Sequence, residues 1–191
     1  MDYNYPDDSY TLHTDAYELS MMQTYYKKGL ANRKAVFEAF FRKMPFENGY
    51  AVFAGLEHII TYLKNLRFSK TDIDYLKTTG QFDDDFLDYL ANFRFQGTLR
   101  SVVEGELVFN HEPLLQVEGT IMEGTLVETA LLNIINYQIM IATKAARIKS
   151  IVGDQTVMEF GSRRAQEFDA ALWGTRAAYI GGFDSTSNVR A

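Results

Sequence analysis

The stretch T-V-M-E-F-G-S-R-R-A at 156–165, taken with G-G-F-D-S-T-S-N-V at 181–189, decides the fold class. Thr156–Phe160 is apolar and β-prone. Arg164–Tyr179 has helical spacing, Gly181-Gly182 breaks it, and Phe183–Val189 reads as a second short strand. A strand, a crossover helix and a strand make one β-α-β unit, which requires a parallel sheet. Two parallel strands do not bury both faces alone. The expectation is that the chain reads like the N-terminal part of a longer protein, with a barrel or doubly wound domain just beginning.

Upstream, Phe95–Glu106 and Leu114–Ile121 alternate and read as an antiparallel β segment split by an Asn110 turn and Pro113. A T-x-x-E capping box at Thr125 and Glu128 predicts a long helix to about Ile151, closed by Gly153. Ala130–Ala146 is apolar but interrupted by Asn133, Asn136, Gln138 and Lys144, as in a buried helix rather than a membrane span. Nearer the start, Thr14 can cap a helix carrying Leu19, Met22 and Tyr26, which stops at Gly29. Lys34–Arg42 reads as a buried strand, and Pro45 with Asn48-Gly49 as a turn. Helices are expected over Ala54–Leu66, from Ser69 to Gly80 on an S-x-x-D start, and from Asp83 to Asn92. The division expected is an extended arm over 1–13, an α+β domain over 14–140, and the start of an α/β barrel over 141–191.

The 191 residues include 47% hydrophobic and 14% aromatic residues, too apolar for a disordered chain. Nineteen basic against 25 acidic residues leave a net charge of −6, which disfavours a general nucleic-acid binder. With no cysteine, disulfides, thiolate metal sites and cysteine nucleophiles are excluded. His13, His58 and His111 are scattered and form no metal motif. Asp83-Asp84-Asp85 suits a helix N-terminus better than a magnesium site, because three adjacent side chains on a helix do not converge. The acidic start lacks a signal-peptide core. A cytoplasmic protein without nucleic-acid or membrane partners is expected.

Three segments can carry chemistry. In E-F-G-S-R-R, Phe160, Arg163 and Arg164 stand at the C-terminal end of a strand, where parallel sheets bind ligands, and the two arginines suit phosphate or diphosphate. The plainer alternative is surface pairing with Glu159, Glu167 or Asp169. In G-G-F-D-S-T-S-N, Asp184 can accept from a ribose or ring amine, while Ser185 and Thr186 can donate to phosphate; the alternative is an ordinary polar loop. In T-D-A-Y-E-L-S-M at 14–21, Tyr17 can stack on a planar ring or pack in the core.

Together, in order and spacing, these three motifs resemble nicotinate phosphoribosyltransferase along essentially the whole chain. The resemblance implies a type II phosphoribosyltransferase fold, with an N-terminal α+β domain followed by an irregular α/β barrel. It implies synthesis of nicotinate mononucleotide and pyrophosphate from nicotinate and phosphoribosyl pyrophosphate in NAD salvage. ATP hydrolysis, with Mg2+, is coupled to that reaction, and the sites are shared across a homodimer. Tyr17 would stack on the pyridine ring from the neighbouring subunit, and Phe160 on its other face. Arg163 would hold phosphate or pyrophosphate, and Asp184 would lie beside pyridine and ribose. Arg164, Ser185 and Thr186 would be supporting contacts. The family's phosphorylated histidine matches none of His13, His58 and His111, so no catalytic residue is expected within these residues. That mismatch leaves two alternatives, a nicotinamide-using relative and a non-catalytic binding or dimerising module.

Overall fold

A computed structural model describes residues 10–47 and 49–191. Most of the expected N-terminal arm, and Asn48 of the expected turn, lie outside the described residues. Residues 10–13 form a turn, with the His13 amide donating to Tyr10 O at 2.9 Å. Buried Thr11 fastens it, donating to Arg67 O at 2.6 Å and accepting from Arg67 N at 3.2 Å. This part of the chain is therefore not extended.

The elements run α1 (Ala16–Lys27), β1 (Lys34–Ala39), β2 (Ala51–Val52), α2 (Leu56–Asn65), α3 (Lys70–Thr78), α4 (Asp84–Ala91), β3 (Thr98–Ser101), β4 (Leu107–Val108), β5 (Leu115–Thr120), α5 (Ile121–Val152), β6 (Met158–Glu159), α6 (Glu167–Ile180) and β7 (Ser185–Thr186). The sheet orders are β1-β5-β3, β2-β4 and β6-β7. The mixed α/β character expected from the sequence is present. The strands expected within 95–106 and 114–121 are present as β3 and β5, neighbours in one sheet with β1, while β4 between them pairs antiparallel with β2. Strand β1 alternates rather than being buried, because it lies at a sheet edge and leaves Val36 exposed.

The chain forms two compact units, each assembled from separated segments. The first comprises residues 1–37, 57–99 and 116–131. Here Ser69 and Asp72 make the expected reciprocal capping box of α3. Tyr26, Phe82, Phe86 and Tyr89 form a connected aromatic cluster, which gives the short helix α4 an apolar face to bury. Helix α1 is preceded by Asp15 rather than Thr14, whose hydroxyl instead bonds the Glu18 carboxylate.

The long helix starts one turn earlier than expected. Its capping box is Thr120–Glu123, not Thr125–Glu128: the Thr120 amide reaches Glu123 Oε2 at 2.6 Å, and the Glu123 amide reaches Thr120 Oγ1 at 3.2 Å. Strand β5 thus passes directly into α5, and Thr125 is buried inside the helix.

The second unit comprises residues 38–56, 100–115 and 132–191. Val52, Ala54, Ala142 and Ala177 centre its core. Small residues permit very close packing of the two helices. A Cβ at Gly181 would come within 2.3 Å of the Ala142 carbonyl oxygen, so only glycine fits there. Gly182, at φ +98°, then turns the chain into the approach to β7.

Candidate ligand site at the β6–β7 edge

Strands β6 and β7 are parallel, with Met158 opposite Ser185 and Glu159 opposite Thr186. The register is extended by the Asp184 amide donating to Val157 O at 3.0 Å and the Ser187 amide donating to Glu159 O at 3.0 Å. The two strands therefore share a C-terminal edge. Phe160 and Gly161 leave from β6, and Ser187, Asn188 and Arg190 leave from β7. Ser162–Arg164 form a single 3-10 turn at that edge before α6 begins. The helix starts at Glu167, three residues later than expected.

Phe160 is 59% exposed, and Arg163 and Arg164 are exposed. Neither arginine forms an ion pair with Glu159, Glu167 or Asp169 among the described residues. Glu159 is engaged elsewhere, with the Gly161 amide and the hydroxyls of Thr175 (3.0 Å) and Thr186 (2.8 Å). Among the described residues, the expected surface pairing is not made.

Two cavities open beside this edge. One, of about 410 Å³, is lined by Ser162, Arg163, Glu167, Phe168, Asn188 and Arg190, among others. The other, of about 470 Å³, is lined by Trp173, Arg176, Tyr179, Ser185, Thr186 and Arg190, among others. The Ser162 and Ser185 hydroxyl oxygens are buried without a hydrogen-bond partner. Buried polar atoms are almost always paired, so two such hydroxyls beside arginine-lined cavities mark a surface suited to a hydrogen-bonding ligand.

Asp184 is placed differently. It precedes β7, about 10 Å along the strand from Ser187. Its Oδ2 accepts from Lys149 Nζ and from the Val157 amide, each at 2.8 Å. The Lys149 hydrogen bond, followed by that amide, holds the Asp184 carboxyl below its ordinary range. Its bonds thus tie the N-terminal end of the strand pair to α5. Phe160, Arg163 and Arg164 follow β6 and Ser185 and Thr186 form β7, with Arg163 in one cavity and the two hydroxyl residues in the other, whereas the Asp184 carboxylate is bonded at the N-terminal end of the pair.

Tyr17 belongs to the first unit. It stands in the first turn of α1, 55% exposed, so core packing is not its role. Its neighbour Glu18 is 1% exposed. Burial, helped by the Glu128 and Asp15 charges, raises the Glu18 carboxyl to about 7, although the Thr129 hydroxyl bond pulls it part of the way back.

Residues 12–136 match the family model described as the nicotinate phosphoribosyltransferase (NAPRTase) N-terminal domain. The chain belongs to the nicotinate phosphoribosyltransferase family. It is 56% identical over its whole length to the nicotinate phosphoribosyltransferase of Bacillus subtilis (strain 168), and 42% identical over 93% of its length to that of Caenorhabditis elegans. The human nicotinic acid phosphoribosyltransferase structure superposes on 93% of the chain with a TM-score of 0.86 and 38% identity. The chain spans 39% and 32% of the two relatives and 36% of the human chain. The family model takes in Tyr17, while the whole-length likeness takes in the β6–β7 edge.

For a nicotinate phosphoribosyltransferase family member, several edge residues escaped sequence reasoning. Asn188 lies inside the expected strand with no role assigned and Arg190 just past it, and only the parallel register shows which edge they share with Arg163. Arg176 lines one cavity and pairs with Glu104 through two bonds, NH1 to Oε1 at 2.8 Å and NH2 to Oε2 at 2.7 Å. Glu104 also accepts from the amides of Gly55 and Leu56 at the start of α2, at 2.7 and 3.0 Å. Burial alone would raise the Glu104 carboxyl, but Arg176 and these amides outweigh it and hold it below its ordinary range. No local motif announces a pair 72 positions apart.

Proposed function

We propose that the intact enzyme carrying this chain joins nicotinate to phosphoribosyl pyrophosphate, forming nicotinate mononucleotide and pyrophosphate in NAD salvage. The observation that carries this reading is the shared C-terminal edge of β6 and β7. Among the described residues, two arginines without a carboxylate partner and two unpaired buried hydroxyls flank it. Displacing pyrophosphate builds positive charge on the ribose and negative charge on the leaving group, so the site needs preorganised cations and donors. Arg163, with Arg164 beside it, supplies the cations, and Ser185 supplies a donor. Thr186 serves by holding the loop that follows β7. The exposed ring of Phe160 offers one face to the pyridine, aligning its nitrogen with the anomeric carbon.

Tyr17 supplies the opposite aromatic face from a second subunit in a homodimer. Coupled ATP hydrolysis with Mg2+, and a cytoplasmic setting, belong to the same proposal. Asp184 is given no contact with pyridine or ribose, because its carboxylate is bonded at the other end of the strands.

The test is a steady-state assay of the intact enzyme with nicotinate and with nicotinamide. Activity with nicotinate is expected, together with a rise of roughly tenfold to a hundredfold in KM for phosphoribosyl pyrophosphate in Arg163→Ala, the loss of a charged hydrogen bond of about 1.5–3 kcal/mol. Turnover of nicotinamide alone, or an unchanged KM in the variant, would overturn the reading.

A further inference from the structure

The E-F-G-S-R-R turn is held by the glutamate that opens it. The Gly161 amide donates to Glu159 Oε1. The Thr186 hydroxyl on β7 donates to Oε2 at 2.8 Å, and the Thr175 hydroxyl on α6 divides its one proton between Oε2 at 3.0 Å and Ala171 O at 2.9 Å. The network continues from Thr186. Its Oγ1 accepts from the Asn188 amide at 2.9 Å, and Asn188 Oδ1 accepts from the Arg190 amide at 3.1 Å. One connected chain of hydrogen bonds therefore runs from the arginine turn after β6 to the arginine loop after β7, through a single carboxylate.

The glycine in the motif belongs to the same device. A Cβ at Gly161 would lie 2.8 Å from Glu159 Oε1. The carboxylate takes the space that any other side chain would need, so it can reach the turn's own amide. A partly buried carboxylate that meets the Gly161 amide, the Thr186 hydroxyl and the shared Thr175 hydroxyl ties three elements together, because removing it leaves the Gly161 amide and the Thr186 hydroxyl without their acceptor.

We propose that Glu159 is the positioning residue that holds the Arg163 turn for the diphosphate-bearing substrate, with the loop after β7 as its anchor. The inference rests on the phosphoribosyltransferase reading above. Glu159 does not touch substrate; it acts through Arg163. Replacing it by glutamine keeps the size and an acceptor for the two hydroxyls. The amide then cannot satisfy both the Gly161 N–H and the threonines, since one of its ends is a donor.

The experiment measures KM for both substrates in the intact enzyme, Glu159→Gln, Arg163→Ala and the double variant. KM for phosphoribosyl pyrophosphate should rise on the order of tenfold in Glu159→Gln, the loss of about one good hydrogen bond. KM for nicotinate should move less than about twofold, well short of that loss. In the Arg163→Ala background the same substitution should add almost nothing. Thr175→Val, which removes one donor without altering the carboxylate, should move the same KM in the same direction, and carries the test if Glu159→Gln fails to fold. Multiplicative effects of Glu159→Gln and Arg163→Ala, equal changes in both KM values, or an unchanged KM in Thr175→Val would overturn the proposal. An inactive parent enzyme would instead overturn the underlying reading and this inference with it.

Discussion

The first turns of α1 and α5 each bury a glutamate, and they treat it in opposite ways. Glu18 is 1% exposed and Glu123 is 5% exposed. Burial pushes both carboxyls up. At Glu123 the backbone amides of Thr120 and Gln96, each 2.6 Å away, together with the Thr120 hydroxyl, outweigh it and bring the group below its ordinary value. Glu18 is met chiefly by threonine hydroxyls and by the negative charges of Asp15 and Glu128, and rises to about 7. Burial alone therefore does not set a carboxyl's charge; the donors that meet it do.

Removing the donor-rich carboxylate should have the largest effect. Glu123→Ala leaves the amides of Thr120, Gln96 and Gly97 without their acceptor and breaks the cap of α5, which should cost about 3 kcal/mol of stability by denaturant melts. Glu123 stabilises the fold above its unfolded pKa near 4.5, and that contribution is lost as pH falls through its lower folded value.

Glu18 gives the opposite slope. Its folded pKa is raised from about 4.5 to about 7, so the folded state binds the extra proton between those values. Its contribution is fully present below about 4.5 and is lost as pH rises through about 7. Glu18→Gln should remove that decline, leaving the variant more stable than the parent above pH 7 and little changed in acid. A thermal-melt series across pH checks this; an unchanged slope would break the comparison. The smallest effect is expected from Thr129→Val. It removes a donor that lowers the Glu18 pKa, so the decline should end above pH 7, with a stability cost of about 1 kcal/mol.

The same contrast explains what the sequence could reveal. The capping box of α3 was legible because all its partners lie within three residues. At α5 two T-x-x-E patterns compete, at 120–123 and 125–128, and local chemistry favours neither. The choice is made by Gln96, whose amide also needs Glu123, from a segment 27 positions away. The β-α-β unit was legible from apolar runs and glycines, and its parallel pairing is present. Its polarity decided the fate of Asp184. A residue inside a motif was read as facing the ligand, but three positions along a strand separate one end of a sheet from the other. Arg176–Glu104 left no trace in either segment, because a long-range ion pair has no period.

The central claim is that ligand meets this chain at the C-terminal edge of β6 and β7. Hydrogen–deuterium exchange on the intact enzyme, with and without nicotinate mononucleotide, tests it most directly. The account predicts slowed exchange in peptides spanning 160–165 and 187–191, with no change over 147–156. Protection confined to the Lys149–Asp184 end, or absent from both arms of the edge, would contradict it.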